Sequence, residues 1–401
     1  MKQPNHDMRE PITPSSEEAD INDVMAKLAL RQRAIEWTPK NDEHPEQGLQ
    51  VGRANVHDRI ISLLHELAKE VMRPSDPPFF AEHGKTRSFV RCTPLGQQLV
   101  DAACADFYQI QADYPLHDFS PVYKVFARLR RLMPGFPSSY FNRSVSVHDA
   151  DQTVVQALWF VRALRRALGR ESVKTANENF RRGAMDNFNG LSDSVGWLAQ
   201  RRKDVIGLRF DLYERAAGSE PVKLGDAASL DGLDEFMACR ERFHRSLHRR
   251  FGKKLLGYFW ALEYGRESKY HVHYFIMLDP RGNEDHVGLV EMLGEKWVSL
   301  TEGRGYIYNG NAHADHQTYP VLGRVNLDDP QTITGLQFLM SYLTLAGLFV
   351  KLDVNKRFRT FSKGRFPKGP LRKAGRPQDR VSGSRLKITV AQARANFMKF
   401  I

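Results

Sequence analysis

The sequence predicts an α+β fold: a small antiparallel, ferredoxin-like sheet preceded by a mainly helical region and followed by a basic arm. Three observations carry this expectation. Segments 205–213, 256–264 and 270–278 are rich in β-branched and aromatic residues and largely alternate with period two, as strands do. Apolar residues recur at helical spacing between residues 51 and 199. The net charge of +12 lies at the end of the chain: residues 351–401 hold 15 Lys or Arg against Asp353 and Asp379, a net of +13.

Residues 1–50 are polar and dotted with Pro, which predicts a mostly disordered segment with one helix near 17–36. Residues 51–199 read as a helical domain with a possible DNA-binding role. Ile60, Ile61, Leu64, Leu67 and Val71 share one helical face, as do Val122, Val125, Phe126 and Leu129, and Val155, Leu158, Trp159 and Leu164.

Residues 200–362 change character. In Val205–Tyr213, Ile206, Leu208, Phe210 and Leu212 take one face, while Arg209 and Asp211 take the other. A helix over 230–251 follows, then a hairpin of 256–264 and 270–278 joined by Gly265-Arg266-Glu267-Ser268-Lys269. Residues 291–300 predict a helix around Trp297, and 331–352 a buried helix. With the aromatic, His-rich segment 303–320 left open as a strand, the order β-α-β-β-α and a final α is that of a split βαβ unit, with helices on one face of the sheet and the other face left open for a substrate.

That open face carries the chemistry. Alternation in 270–278 places His271 and His273 on one side, roughly 7 Å apart at about 3.3 Å of rise per residue. In a hairpin centred on Glu267, Glu263 lies directly opposite His271, and opposed residues project to the same face. Two imidazoles and a carboxylate make a divalent-metal site of a catalytic kind. Thiolate ligands are absent from it, which favours Mg²⁺ or Mn²⁺ over structural zinc. Asp211 shares the face and reads equally as a residue behind the ligands or as a surface salt-bridge partner. His244 and His248 lie at i, i+4 on the preceding helix and read as part of a polar face. His313 and His316 fall in a loop.

The segments Phe259-Trp260-Ala261-Leu262-Glu263, Tyr270-His271-Val272-His273-Tyr274, Ser341-Tyr342-Leu343-Thr344 and Phe358-Arg359-Thr360-Phe361-Ser362 occur in an order that resembles the HUH endonuclease superfamily. Within it the chain is most similar to the rolling-circle replication initiators of filamentous phages, the inovirus gene-two type, and their prophage relatives. The resemblance covers residues 200–362. It implies a palm-like sheet and a metal held by Glu263, His271 and His273. It also implies that Tyr342 is the nucleophile of a nicking and joining reaction through a 5′-phosphotyrosine. A free phenol has a pKa near 10 and is ionised in only about one molecule in a thousand at neutral pH, so such a nucleophile needs help. The family pattern puts a Lys three residues after the Tyr; here that position is Leu345, and Lys351 is the nearest basic residue downstream. Implied partners are single-stranded or origin DNA, with a host helicase and DNA polymerase, in the cytoplasm of a bacterial host. A relaxase or transposase would use the same chemistry, and a DNA-binding regulator could reuse the fold without it.

The remaining expectations come from composition. Three scattered cysteines indicate neither a disulfide framework nor a zinc knuckle. The longest apolar run, residues 336–350, is too short and too polar to span a bilayer, so no membrane partner is expected. The arm, residues 363–401, is rich in Gly and Pro and reads as largely disordered until bound to phosphates. Its cations and those just before it, Lys356, Arg357, Arg359, Lys363, Arg365, Arg372, Lys373 and Arg376, are the DNA-contact candidates.

Overall fold

A computed structural model describes residues 23–27, 29–30, 35–38, 48–51, 54–114, 116–133, 136, 138–141, 144–214, 232–265, 269–282, 285–316, 320–354 and 357–364. Lys356, Arg365, Arg372, Lys373 and Arg376 lie outside the described residues, as does most of the segment before residue 50. The fold is α+β with antiparallel sheets.

Near the start, residues 23–27 form a helical turn, α1. The helix expected over 17–36 does not reach its end: β1 (Ile35–Thr38) pairs antiparallel with β2 (Gly48–Val51). Ile35, Trp37 and Thr38 are branched or aromatic residues that favour extended backbone.

The next region is helical as expected, with α2 (Ala54–Val71), α3 (Pro94–Cys104), α4 (Phe107–Asp113), α5 (Pro121–Leu132), α6 (Val147–Leu168) and α7 (Glu171–Ala199). Thr93, Ser120 and Ser146 cap α3, α5 and α6 by accepting from a backbone N–H of the first turn. Pro94 and Pro121 open α3 and α5, where a missing N–H costs nothing. The helical reading missed a small sheet, β3 (Phe79–His83), β4 (Ser88–Cys92) and β6 (Ser144–Val145), paired in that order. These strands are too short to register beside the long helical periodicities.

The central sheet contains β7 (Asp204–Glu214), β8 (Leu255–Gly265), β9 (Lys269–Leu278), β10 (Gly305–Asn309), β11 (Gly323–Asn326) and β13 (Phe361–Lys363). Its strand order is β10-β7-β9-β8-β13, all antiparallel, with β11 beside the first half of β7. Helix α8 (Leu233–Phe251) connects β7 to β8, and α9 (His286–Leu300) connects β9 to β10. Both pack on one face, against Phe210, Leu212, Val272 and Tyr274, with Trp297 and Phe243 fully buried between them. The Trp297 indole N–H donates to the Tyr213 carbonyl at 2.7 Å, which satisfies the polar edge of a buried ring.

The opposite face is not open. It carries the end of α7, through Leu191, Val195 and Leu198, and α10 (Pro330–Thr344), through Leu336, Leu339, Met340 and Leu343. These cover Phe259, Ala261, Phe275 and Met277. The sheet is therefore a filled middle layer, because its strands carry large apolar side chains on both faces. Helix α10 also ends earlier than the 331–352 pattern suggests. Leu345–Leu348 tightens into a 3-10 turn, and β12 (Val350–Leu352) then pairs with β5 (His117–Phe119). Leu345, Ala346, Leu348 and Phe349 thereby join the core of the helical region. Burial there outweighs helix continuation through Gly347, a weak helix former.

Candidate metal centre

The hairpin register sets the site. Glu263 on β8 pairs with His271 on β9, as the sequence predicts. Across the other edge of β9, Asp211 of β7 pairs with His273. Alternation sends Asp211, Glu263, His271 and His273 to the face covered by α7 and α10. Glu263, His271 and His273 are buried, with donor atoms all within 4.8 Å of one another.

The ring orientations suit ligation. His271 Nδ1 lies 3.0 Å from the Lys269 carbonyl, which fixes the N–H on that nitrogen and leaves Nε2 as the donor atom. His273 Nδ1 lies 2.8 Å from Asp211 Oδ1, so its Nε2 also faces inward. The two Nε2 atoms stand 3.9 Å and 3.2 Å from Glu263 Oε2. Ligand atoms about 2.1 Å from one cation are separated by about 3–4 Å, so this cluster could hold a metal ion with little rearrangement. Tyr213 stacks on His271, with centroids 5.0 Å apart, and Tyr306 stacks on Tyr213 at 4.9 Å. That ladder limits rotation of the His271 ring.

The two histidines are held apart in charge. Burial lowers both, but for His273 the Asp211 and Glu263 carboxylates outweigh it and raise the pKa to about 9. For His271, burial and the neighbouring positive His273 win, and the pKa falls to about 4. Burial raises Asp211, yet the facing His273 and Arg209 bring it below the usual carboxylate range. At neutral pH, then, His273 is an imidazolium. A metal ion bound there would have to displace that proton from Nε2.

Tyr342 arrives from α10. Its hydroxyl lies 3.0 Å from His273 Nε2, the two rings edge to face. Sequence reasoning placed no cation beside it except Lys351, and Lys351 has other partners. Its ammonium donates to the Phe180 carbonyl and sits 4.2 Å from the centre of that ring, on α7. The cation at the tyrosine is Arg209, on β7, with its guanidinium carbon 5.1 Å from the centre of the Tyr342 ring. Burial lowers the Arg209 pKa, but Asp211 and Tyr342 more than compensate, so it stays charged. Alternation puts Arg209 on the same strand face as Asp211, two residues before it, but only the packing of α10 brings Tyr342 to that face. Tyr306 and Tyr308, on edge strand β10, share the ligand face and are half-buried.

The remaining candidates divide. Lys363 donates to Gly190 O and Ser194 Oγ of α7, and so ties β13 to the helix. Arg357 and Arg359 lie on the segment leading to β13, with Arg357 paired to Asp234 of α8. The rings of His244 and His248 contact each other at 4.9 Å and Tyr258 at 4.6 and 5.4 Å, away from the metal face. Among the described residues no helix is long and apolar enough to cross a membrane.

No protein-family model matches this chain, and neither does a curated protein or a solved structure.

Proposed function

We propose that this protein is a metal-dependent DNA nicking and joining enzyme of the HUH kind, which initiates rolling-circle replication of a phage or mobile element. The observation that carries the reading is the contact of Tyr342 Oη with His273 Nε2. A tyrosine on a helix far along the chain meets a His-Val-His strand and its opposed carboxylate. The β-α-β-β-α-β order and the β10-β7-β9-β8 arrangement support the ferredoxin-like, palm-type part of the proposal.

Glu263, His271 and His273 would hold Mg²⁺ or Mn²⁺. When bound, the cation supplies Lewis acidity to a scissile phosphate. Tyr342 Oη attacks phosphorus and the P–O3′ bond breaks. The 5′-phosphate becomes an ester of Tyr342, and the phenolic proton ends, net, on the freed 3′-oxygen. The ester conserves the bond, so the reverse attack rejoins the strand. Arg209, across the Tyr342 ring, stabilises the phenolate that develops. Asp211 holds His273 in place from behind. The freed 3′-OH is a primer for a host polymerase, and strand separation falls to a host helicase.

The test is a covalent adduct. Single-stranded oligonucleotides tiled across the DNA that flanks the gene are incubated with protein and Mn²⁺, then denatured. One tile should leave a protein–DNA band that chelator prevents. Tyr342→Phe should abolish the band while the tile still binds. A band that survives in this variant, or no band from any tile, would refute the proposal.

A further inference from the structure

A second site lies on the other face of the sheet. Trp260 alternates with Ala261 and Glu263 on β8, so it points away from the metal centre, toward α8. There a cavity of about 600 Å³ opens between α8 and the segment before β13. It is large enough for a nucleotide-sized ligand. Its walls include two cation–aromatic pairs, with the Asp234 and Glu241 carboxylates beside them. The Arg240 guanidinium carbon lies 4.2 Å from the centre of the Trp260 ring, and that of Arg357 lies 4.8 Å from the centre of Phe358.

The polar groups there are only partly satisfied. Arg240 is 8% exposed; one Nη meets Glu241 at 2.9 Å and the side chain also approaches the buried Tyr274 hydroxyl, while its Nε has no partner of good geometry. His244 Nδ1, also lining the cavity, is buried without one as well. Buried unpaired polar groups of this kind are uncommon and mark places where a ligand can supply the missing partner. Arg359 lines the same cavity, is exposed, and has no acidic partner among the described residues. Arg357 and Arg240 are each paired with a carboxylate, so the cavity is not a general anion trap. It offers one partly open stacking surface at Arg357 and Phe358, buried hydrogen-bonding groups and one cation at the rim, Arg359.

We propose that this cavity binds a nucleotide unit. The base stacks on the Arg357–Phe358 layer and is hydrogen-bonded at Arg240 and His244, and the phosphate meets Arg359. The unit is either a free nucleotide or one residue of a bound strand. The site is separate from the metal centre, because the sheet stands between them.

The test uses the full chain, with deoxyadenosine monophosphate, a short single-stranded oligonucleotide and inorganic phosphate as probes in calorimetry. The mononucleotide should bind saturably, and more tightly than inorganic phosphate. Arg359→Ala and Phe358→Ala, each changing a residue at the rim, should weaken it about tenfold. Near-UV circular dichroism checks that both variants keep their packing. Glu263→Gln, on the opposite face, should leave mononucleotide binding unchanged. An equal loss of oligonucleotide affinity in the rim variants identifies a strand residue as the occupant; a loss confined to the mononucleotide identifies a free nucleotide. The proposal is overturned if neither probe weakens in either variant, if inorganic phosphate binds as tightly as the mononucleotide, or if Glu263→Gln abolishes mononucleotide binding.

Discussion

Divalent-cation binding should be steeply dependent on pH, because His273 must lose a proton to become a ligand. With its pKa near 9, only about one molecule in a hundred carries neutral His273 at pH 7. Apparent affinity for Mn²⁺ at pH 7 should then be about 100-fold below its plateau, and should rise about tenfold per pH unit up to about pH 9. His271, lowered to about 4, is already neutral in that range and adds no further proton. One proton should be released per cation. Calorimetric titrations at pH 7.5 in two buffers of different ionisation enthalpy count it directly. The same linkage sets metal-free stability. His273, raised in the folded state, contributes stability that is fully present below the unfolded value of about 6.5 and is lost as pH climbs through 9. His271, lowered when folded, acts oppositely: its contribution is present above about 6.5 and is lost as pH falls toward 4. Saturating Mn²⁺ should remove the loss above pH 6.5, which thermal melts would register. A flat affinity between pH 7 and 9, or no proton release at pH 7.5, would refute the charge assignment at His273.

Three further outcomes are expected. Arg209→Gln should lower single-turnover nicking about 100-fold at saturating Mn²⁺ while the Mn²⁺ affinity at its high-pH plateau changes little, since Arg209 faces the tyrosine ring and not the ligand atoms. Gly207→Ala should destabilise the fold by about 1–3 kcal/mol in urea melts, because the added Cβ would stand 2.3 Å from the Val321 carbonyl, a backbone atom with nowhere to go. Deleting residues 365–401 should weaken DNA binding almost independently of sequence. If about six of those cations meet phosphates, the slope of log affinity against log salt should flatten by about 4 for single strands; an unchanged slope would make the arm a bystander.

The sequence by itself determined the candidate ligand cluster. Period-two alternation and a hairpin of fixed register are local properties, so Glu263, His271 and His273 could be placed on one face from residues 256–278 alone. Asp211 was reachable in the same way, from the alternation of its own strand. The element order through β7, α8, β8, β9 and α9 was equally legible, since each long segment has one dominant period. What only the tertiary structure decided is what covers that face. The 331–352 run is apolar nearly all round, so its periodicity gave neither the turn at Leu345 nor the strand at Val350. Those depend on partners at His117–Phe119 and in the helical core, far away in sequence. For the same reason the sequence could not assign the cation at Tyr342. Lys351 is nearer along the chain but is held at Phe180, while Arg209 reaches the ring from a strand more than a hundred residues earlier. Side-chain direction within a strand is set by the backbone next door; which helix closes over it is set by how two apolar surfaces meet, and no single segment contains that information.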